Sequence, residues 1–163
     1  MSQQIVIDSL SFAREGKSLQ GELPVAGLKR LHDLLAEIAG VVAYRLSGRM
    51  SRQGKPQLLL EVVGEVPVVC QRCLGRFDYP LSIVSTLELI ADEAGLTQDE
   101  LEDDTRDYLV AQKEMDVAAL VEDEIILALP PAPRHDDCAL PDSSSRGTKV
   151  SPFAALAAMK KAT

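Results

Sequence analysis

Alternating apolar and polar residues predict three β-strands in the middle of the chain. The alternation runs over residues 42–49, 58–70 and 77–89, so that each strand has one face in the core and one in solvent. Gly54 and Pro56 mark a turn between the first two strands. Connections this short permit only antiparallel pairing. The prediction is therefore an antiparallel β-meander or a partial barrel.

Helical spacing of apolar residues appears on both sides of this sheet. Residues 27–39 carry leucine and isoleucine at intervals of three and four, and Gly40 follows as a C-terminal stop. Residues 116–129 show the same spacing, with Asp116 as the N-cap and Pro130 after the end. We expect both helices to cover the sheet, which makes the fold class α+β.

One carboxylate, that of Glu124, falls on the apolar stripe of the second predicted helix. A buried carboxylate needs a partner. The alternatives are a catalytic or binding role, or a structural pairing with an arginine, for which Arg72 is a candidate.

Length and composition set the domain organisation. The chain has 163 residues, 46% of them hydrophobic and 26% charged, which is typical of a soluble globular protein. We predict one α+β domain over residues 1–140, followed by a linker and a short basic helix or flexible tail over 141–163. No apolar run approaches the roughly eighteen residues of a membrane span. Three cysteines without a signal peptide favour the cytoplasm.

Charge is unevenly distributed along the chain, although the net value is -8. Residues 1–90 hold ten basic and nine acidic side chains, whereas residues 91–142 hold three basic and sixteen acidic ones. Within the acidic part, the run over 92–107 is interpreted as a solvated loop. Residues 143–163 carry four basic side chains and no acidic one. A local positive surface is therefore compatible with the low net charge.

Basic residues accompany the predicted strands and their connections. If these residues converge, they form a surface able to bind RNA phosphates. The alternative is an ordinary exposed face with salt bridges. The candidates for RNA binding are Arg45, Arg49, Arg52, Lys55, Arg72 and Arg76.

Cysteine and histidine occur in two close pairs, Cys70 with Cys73 and His135 with Cys138. The number of ligands and the two-residue spacers match a tetrahedral zinc site, and this ligand set favours a structural metal over a catalytic one. The alternative is three reduced cysteines, with Cys70 as a small apolar residue on its strand. A redox pair fits less well, because such a pair stands at the start of a helix and here a strand pattern follows.

Motifs of nucleotide binding and hydrolysis are missing from the sequence, which has no GxGxxG, GxxxxGK or GxSxG. The sequence thus predicts a protein that is not an enzyme and has no small-molecule substrate. A metal-dependent or redox enzyme that uses Cys70 and Cys73 is the alternative hypothesis.

Three segments resemble one known family. They are CQRCLGRFDYPL, MDVAALVEDEIILALPPAPRHDDC and VSPFAALAAMKK, in this order. The chain from about Val66 to its end is similar to the YceD family, the large ribosomal RNA subunit accumulation proteins. The resemblance implies a non-enzymatic bacterial factor for synthesis, processing or stability of large-subunit ribosomal RNA. Its partner would be that RNA or a large-subunit ribosomal protein. The family's cysteines correspond to Cys70, Cys73 and Cys138, and the resemblance assigns no metal to them.

Overall fold

The computed structural model describes residues 5–98, 102–103 and 106–138. The predicted linker and tail over 141–163 lie outside the described residues. Seven strands are present in this part of the chain: β1 (Val6–Ile7), β2 (Ser18–Pro24), β3 (Val41–Met50), β4 (Pro56–Val69), β5 (Arg76–Ile90), β6 (Asp107–Val110) and β7 (Met115–Asp116). Two α-helices accompany them, α1 (Ser9–Arg14) and α2 (Val117–Ala128).

Five strands form one open sheet in the order β2-β3-β4-β5-β6. All neighbours are antiparallel except β5 and β6, which are parallel. The predicted meander is confirmed as β3, β4 and β5, and the α+β class with it. The parallel strand β6 was not predicted, since its four residues are too few to show a period. Its connection from β5 has the length that a parallel pair requires.

Apolar residues on one face of the sheet form the core. Val42, Leu46, Leu60 and Val62 are all fully buried there. Helix α1 packs directly on the backbone of β3, where a Cβ at Gly48 would meet the Phe12 carbonyl oxygen and lie 2.7 Å from the Ala13 Cα. Only glycine permits this close approach.

The second predicted helix is confirmed almost residue for residue. Asp116 is its N-cap, with a carboxylate oxygen that accepts a hydrogen bond from the Ala118 N–H at 2.9 Å. Val117, Val121 and Ile125 face the sheet and are buried. α2 therefore covers the same face of the sheet as α1.

The first predicted helix, over 27–39, is wrong. The segment forms two 3-10 helices, Val25–Gly27 and Lys29–Leu34, and then runs on without regular structure. The Ala36 N–H donates to the Pro67 carbonyl at 2.8 Å, so it is not available to a helix. Anchoring to the end of β4 competes with helix formation. Leu28 and Leu31 are buried as their spacing predicts, but Ile38 is 51% exposed.

An ion pair joins this 3-10 segment to α2. Glu122, only 7% exposed, accepts from the backbone N–H of Arg30 at 2.6 Å and from its Nε at 2.8 Å. Hydrogen bonds to Glu122 and Asp123 raise the pKa of the Arg30 guanidinium. Glu122 is thus the buried carboxylate of α2.

The candidate pairing of Glu124 with Arg72 is wrong, since the Arg72 guanidinium donates to the Cys138 and Asp136 carbonyls instead. Glu124 is half-buried and accepts a hydrogen bond from the Ser85 hydroxyl. Helix periodicity could not indicate Glu122, because the segment that buries it comes from 92 residues away in sequence. Both carboxylates have partners within the fold, which favours the structural interpretation.

The opposite face of the sheet is not covered by either α-helix. We call it the exposed sheet face, and it consists of alternate residues of β3, β4 and β5: Ala43, Arg45, Ser47, Arg49, Gln57, Leu59, Glu61, Val63, Ser82, Val84 and Thr86. Val63 and Val84 are more than half exposed. Among the described residues, no helix has the length and apolar character needed to cross a membrane.

Candidate metal centre

The turn between β4 and β5 carries the first cysteine pair. The Cys70 N–H donates to the Gly75 carbonyl at 2.9 Å, and the Leu74 N–H donates to the Cys70 carbonyl at 2.9 Å. Leu74 takes a left-handed conformation, with φ 63°. This tight reversal places Cys70 and Cys73 on the same side of the turn.

The second pair reaches this turn on the segment that follows α2. After the helix, the Pro133 carbonyl accepts a hydrogen bond from the Gln71 N–H at 2.9 Å. Arg72 extends its guanidinium over the arriving segment, and its Nη2 donates to the Cys138 carbonyl at 2.5 Å and the Asp136 carbonyl at 3.4 Å. These bonds hold His135 and Cys138 against the turn.

Four potential ligand atoms converge at this point, one each from Cys70, Cys73, His135 and Cys138. All lie within 4.8 Å of one another. The Sγ atoms of Cys70 and Cys138 are 3.6 Å apart, and the Sγ of Cys73 is 3.3 Å from the Nε2 of His135. A tetrahedral zinc ion with Zn–S bonds of about 2.3 Å requires separations of about 3.6–3.8 Å. The Cys70–Cys138 separation matches this requirement, and the four residues are the ligand types of a Cys3His site, so the cluster could hold a metal ion.

The electrostatic environment favours a negative charge on Cys70. Burial raises the pKa of this thiol, but hydrogen bonds from the backbone of Cys73, Arg72 and His135 and from the Cys138 thiol together lower it to about 6. The Arg72 N–H lies 3.5 Å from the Cys70 Sγ. A thiolate is the form that binds metals.

The pKa of the Cys138 thiol shifts in the opposite direction to that of Cys70. Burial and the neighbouring Cys70 raise the pKa of its thiol, although Arg72 acts against both. A negative charge is therefore more favourable on Cys70 than on Cys138. A divalent cation at the centre of the cluster would stabilise both sulfurs as thiolates.

The surroundings of the cluster fix the ligand side chains. The ring of His135 meets the ring of Phe77 edge-on, with centroids 5.1 Å apart. The Gly75 N–H points to the Cys73 Sγ at 3.4 Å. Such secondary contacts hold ligands in the orientation that a metal requires.

A family model described as Large ribosomal RNA subunit accumulation protein YceD matches residues 58–160. The chain belongs to the YceD family. Both arms of the cluster lie within the matched part of this YceD family member, as do β5, α2 and all of β4 except its first two residues. No solved structure matches the chain.

The six basic residues predicted to bind RNA do not form one surface in this YceD protein. Arg49 lies beside Gln57 at the start of β4, whereas Arg76 pairs with Val69 at its end. These positions are roughly 40 Å apart along the strand, at about 3.3 Å per residue. The candidates therefore divide into two groups.

The first group surrounds the β3–β4 hairpin and consists of Arg45, Arg49, Arg52 and Lys55. Arg45 and Arg49 are exposed on the exposed sheet face, and Arg52 is exposed in the turn. Lys55 forms a salt bridge of 2.7 Å with Glu88, which is 6% exposed.

Arg106 joins this first group in space, although the sequence prediction missed it. It lies with Arg52 at a cleft of about 310 Å³ that is also lined by Thr86 and Glu88. The prediction missed Arg106 because this residue lies within the acidic run over 92–107. Only the parallel pairing of β6 with β5 brings it to the hairpin.

The second group consists of Arg72 and Arg76, near the cysteine turn. The guanidinium of Arg72 contacts the backbone carbonyls of Asp136 and Cys138 beside the cysteine–histidine cluster. Arg76 forms salt bridges with Glu37 at 3.2 Å and Asp78 at 3.0 Å. Both cations already have partners within the protein.

Proposed function

We propose that this protein is a non-enzymatic bacterial factor that supports synthesis, processing or stability of large-subunit ribosomal RNA in the cytoplasm. The observation that carries the proposal is the family match over residues 58–160. The family is described by the accumulation of an RNA and not by a reaction. The protein acts by binding, with large-subunit ribosomal RNA or a large-subunit ribosomal protein as its partner.

Within this function, Cys70, Cys73, His135 and Cys138 bind one structural zinc ion. Their four candidate ligand atoms, within 4.8 Å of one another, match in number and type the ligands of a structural tetrahedral site, which supports the proposal. A catalytic zinc ion instead has three protein ligands and one position open to water or substrate. The ligand number therefore supports a structural role over a metal-dependent enzyme.

A redox enzyme is supported less well than a structural metal. The sulfur near that of Cys70 is the one of Cys138, at 3.6 Å, while Cys73 lies against His135. Cys70 is also buried, at the end of a strand and not at the start of a helix. These positions favour four ligands around one ion over a redox pair of Cys70 with Cys73.

Metal analysis of the full chain, purified without a histidine tag, tests the zinc site. We expect about one zinc ion per chain, with thiol ligands. A strong chelator should then lower the melting temperature, since metal bound by the folded state alone stabilises that state. A protein that contains no metal, and whose melting temperature does not change when chelator is added, would overturn this part of the proposal.

RNA contact is assigned to the hairpin group of Arg45, Arg49, Arg52 and Lys55, together with the basic tail over 143–163. Arg45 and Arg49 project from the exposed sheet face, which no α-helix covers among the described residues. The acidic part of the chain repels RNA and so orients the basic surface toward it. Lys55, Arg72 and Arg76 contribute less, because their charges are engaged within the protein.

Charge reversal tests the surface through the salt dependence of binding. The variant Arg45→Glu/Arg49→Glu/Arg52→Glu should bind large-subunit RNA fragments more weakly, and the log–log slope against salt should fall by about three. The matched control is Arg14→Glu/Lys29→Glu/Lys113→Glu, which makes the same charge change at exposed positions outside the exposed sheet face.

Cells lacking the endogenous protein supply the functional readout. We expect the control variant, but not the hairpin variant, to restore the level of large-subunit ribosomal RNA. A folded hairpin variant that binds RNA and restores its level like the wild type would exclude this surface. Binding would then have to involve the tail or a ribosomal protein.

A further inference from the structure

Strand β2 stands at one edge of the five-stranded sheet, and no described residue outside β3 pairs with it. The Lys17 carbonyl accepts from the Gly48 N–H at 2.8 Å, and the Val25 N–H donates to the Gly40 carbonyl at 3.0 Å, so odd-numbered residues direct their peptide groups toward β3. Even-numbered residues point theirs the other way. The peptide groups of Ser18, Gln20 and Glu22 therefore face outward, without a backbone partner among the described residues.

This edge lacks most of the features that protect exposed strands from pairing. Free edges are usually short, bulged, or marked by lysine, proline or an inward-pointing charge. β2 runs for seven residues in unbroken register with β3, and its inward positions are Leu19, Gly21 and Leu23. Pro24 stands only at its end. The opposite edge strand, β6, has just four residues.

The sequence of β2 is complementary to itself when two copies run antiparallel about Gly21. Leu19 of one copy then lies opposite Leu23 of the other, and Gln20 lies opposite Glu22. Gln20 and Glu22 both point outward, so each such pair exchanges two backbone hydrogen bonds. The Ser18 N–H of one copy meets the Pro24 carbonyl of the other copy. Pro24 has no N–H, but it lies outside the two central pairs, so these pairs lose no hydrogen bond. A register that centres on Glu22 would instead place two negative charges face to face.

A second observation at the same place concerns Tyr44. Its ring lies over Gly21, where a Cβ would be 3.1 Å from the phenolic oxygen. Tyr44 is 4% exposed, and its hydroxyl has no hydrogen-bond partner in the described part of the protein. A buried hydroxyl without a partner is unfavourable. Opposed Gly21 residues would stand about 4.5 Å apart, so a small shift of each Tyr44 ring toward the edge would let the two buried hydroxyls bond to each other directly or through one water.

We propose that β2 pairs antiparallel with β2 of a second copy of this chain, about a two-fold axis at Gly21. The two sheets become one sheet of ten strands. Because the axis is perpendicular to the sheet, the exposed sheet faces of both copies lie on the same side. Arg45 of each copy is then near the centre of a doubled surface. The pairing itself does not depend on the proposed function.

The mass of the full chain, measured by light scattering over a range of concentrations, tests the pairing. We expect a monomer–dimer equilibrium and slow hydrogen exchange at the amides of Ser18, Gln20 and Glu22 in the dimer. Gln20→Glu places like charges opposite each other twice and should raise the dimer Kd about fivefold. Ser82→Glu adds the same charge to an exposed position three strands away and should leave the Kd unchanged.

Two further variants make the test specific to this register. Adding Glu22→Lys to Gln20→Glu creates two opposite-charge pairs and should restore the dimer. Tyr44→Phe should weaken the dimer without destabilising the monomer, since it removes an unpaired buried hydroxyl. A protein that stays monomeric at all concentrations would overturn the proposal, as would a dimer that is insensitive to Gln20→Glu. Either result would leave the RNA-binding proposal standing.

Discussion

At one end of β4 the chain turns through residues 51–55, and at the other end through residues 70–75. The first turn is closed by its own residues: the Ser51 N–H donates to the Lys55 carbonyl at 2.7 Å, and the Gly54 N–H to the Ser51 carbonyl at 2.9 Å. The second turn has backbone hydrogen bonds of its own, from the Cys70 N–H to the Gly75 carbonyl and from the Leu74 N–H to the Cys70 carbonyl, but it also contacts a distant segment. Its Cys73 lies against His135, 62 residues away in sequence, at 3.3 Å.

The two ends of β4 can therefore serve different purposes. A turn that is closed locally is stable wherever its two strands pair, and it can present Arg49 and Arg52 to a partner. A turn that also bonds to a distant segment, as the Gln71 N–H does to the Pro133 carbonyl, fixes the chain after α2 in place. Because the two ends are roughly 40 Å apart, loss of the metal site should leave the arginine surface intact.

The largest effect is expected from removing one metal ligand. Cys73→Ser should abolish stoichiometric zinc and lower the free energy of unfolding by about 4 kcal/mol, as loss of a structural metal does. Hydrogen exchange should accelerate in residues 70–76 and 131–138. The hairpin around residues 51–55 should keep its protection, and faster exchange there would break the proposed division between the two ends.

A smaller effect is expected at the hairpin end from Gly48→Ala. The added methyl group would meet the backbone of α1 at Phe12 and Ala13. We expect the free energy of unfolding, measured by urea titration, to fall by about 2 kcal/mol through overpacking. Zinc binding should stay stoichiometric at native conditions. A variant that loses zinc without unfolding would show that the ends are coupled.

The Arg30–Glu122 ion pair also joins distant segments, here the 3-10 helix Lys29–Leu34 and α2. Glu122→Gln keeps the shape of the side chain but removes the charge that accepts from the Arg30 N–H and Nε. The loss should be about 1.5 kcal/mol, typical of a hydrogen bond to a charged group. Glu124→Gln, at the half-buried position two residues further along α2, serves for comparison and should cost less stability. Equal losses of stability in the two variants would contradict the assignment of Glu122 as the buried carboxylate of α2.

The smallest effects are expected from the left-handed residues of the two turns. Gly54 has φ 78° with open space around its Cβ position, and Leu74 has φ 63° with 67% exposure. Gly54→Ala should cost about 1 kcal/mol, whereas Leu74→Gly should stabilise by about 0.5 kcal/mol. Thermal unfolding of both variants provides the measurement. A loss of stability in Leu74→Gly would mean that its side chain contributes to the cysteine turn.

The sequence by itself determined the parts of this protein whose signals are local. Alternation along β3, β4 and β5 predicted an antiparallel meander, because a strand with one buried face must repeat every two residues. Asp116 and Pro130 marked the limits of α2 through backbone chemistry at a helix end. The grouping of Cys70, Cys73, His135 and Cys138, whose candidate ligand atoms lie within 4.8 Å of one another, could also be predicted, since metal preference resides in side-chain chemistry.

Only the tertiary structure decided what depends on distant segments meeting. The apolar spacing over 27–39 is helical, yet anchoring of Ala36 to β4 selects a different backbone. Glu122, and not Glu124, is buried because a segment from elsewhere in the chain covers it. Arg106 reaches the hairpin from within an acidic run because β6 adds in parallel to β5. Periodicity describes one element at a time, whereas burial and proximity arise from the packing of several, and this is the physical reason for the difference.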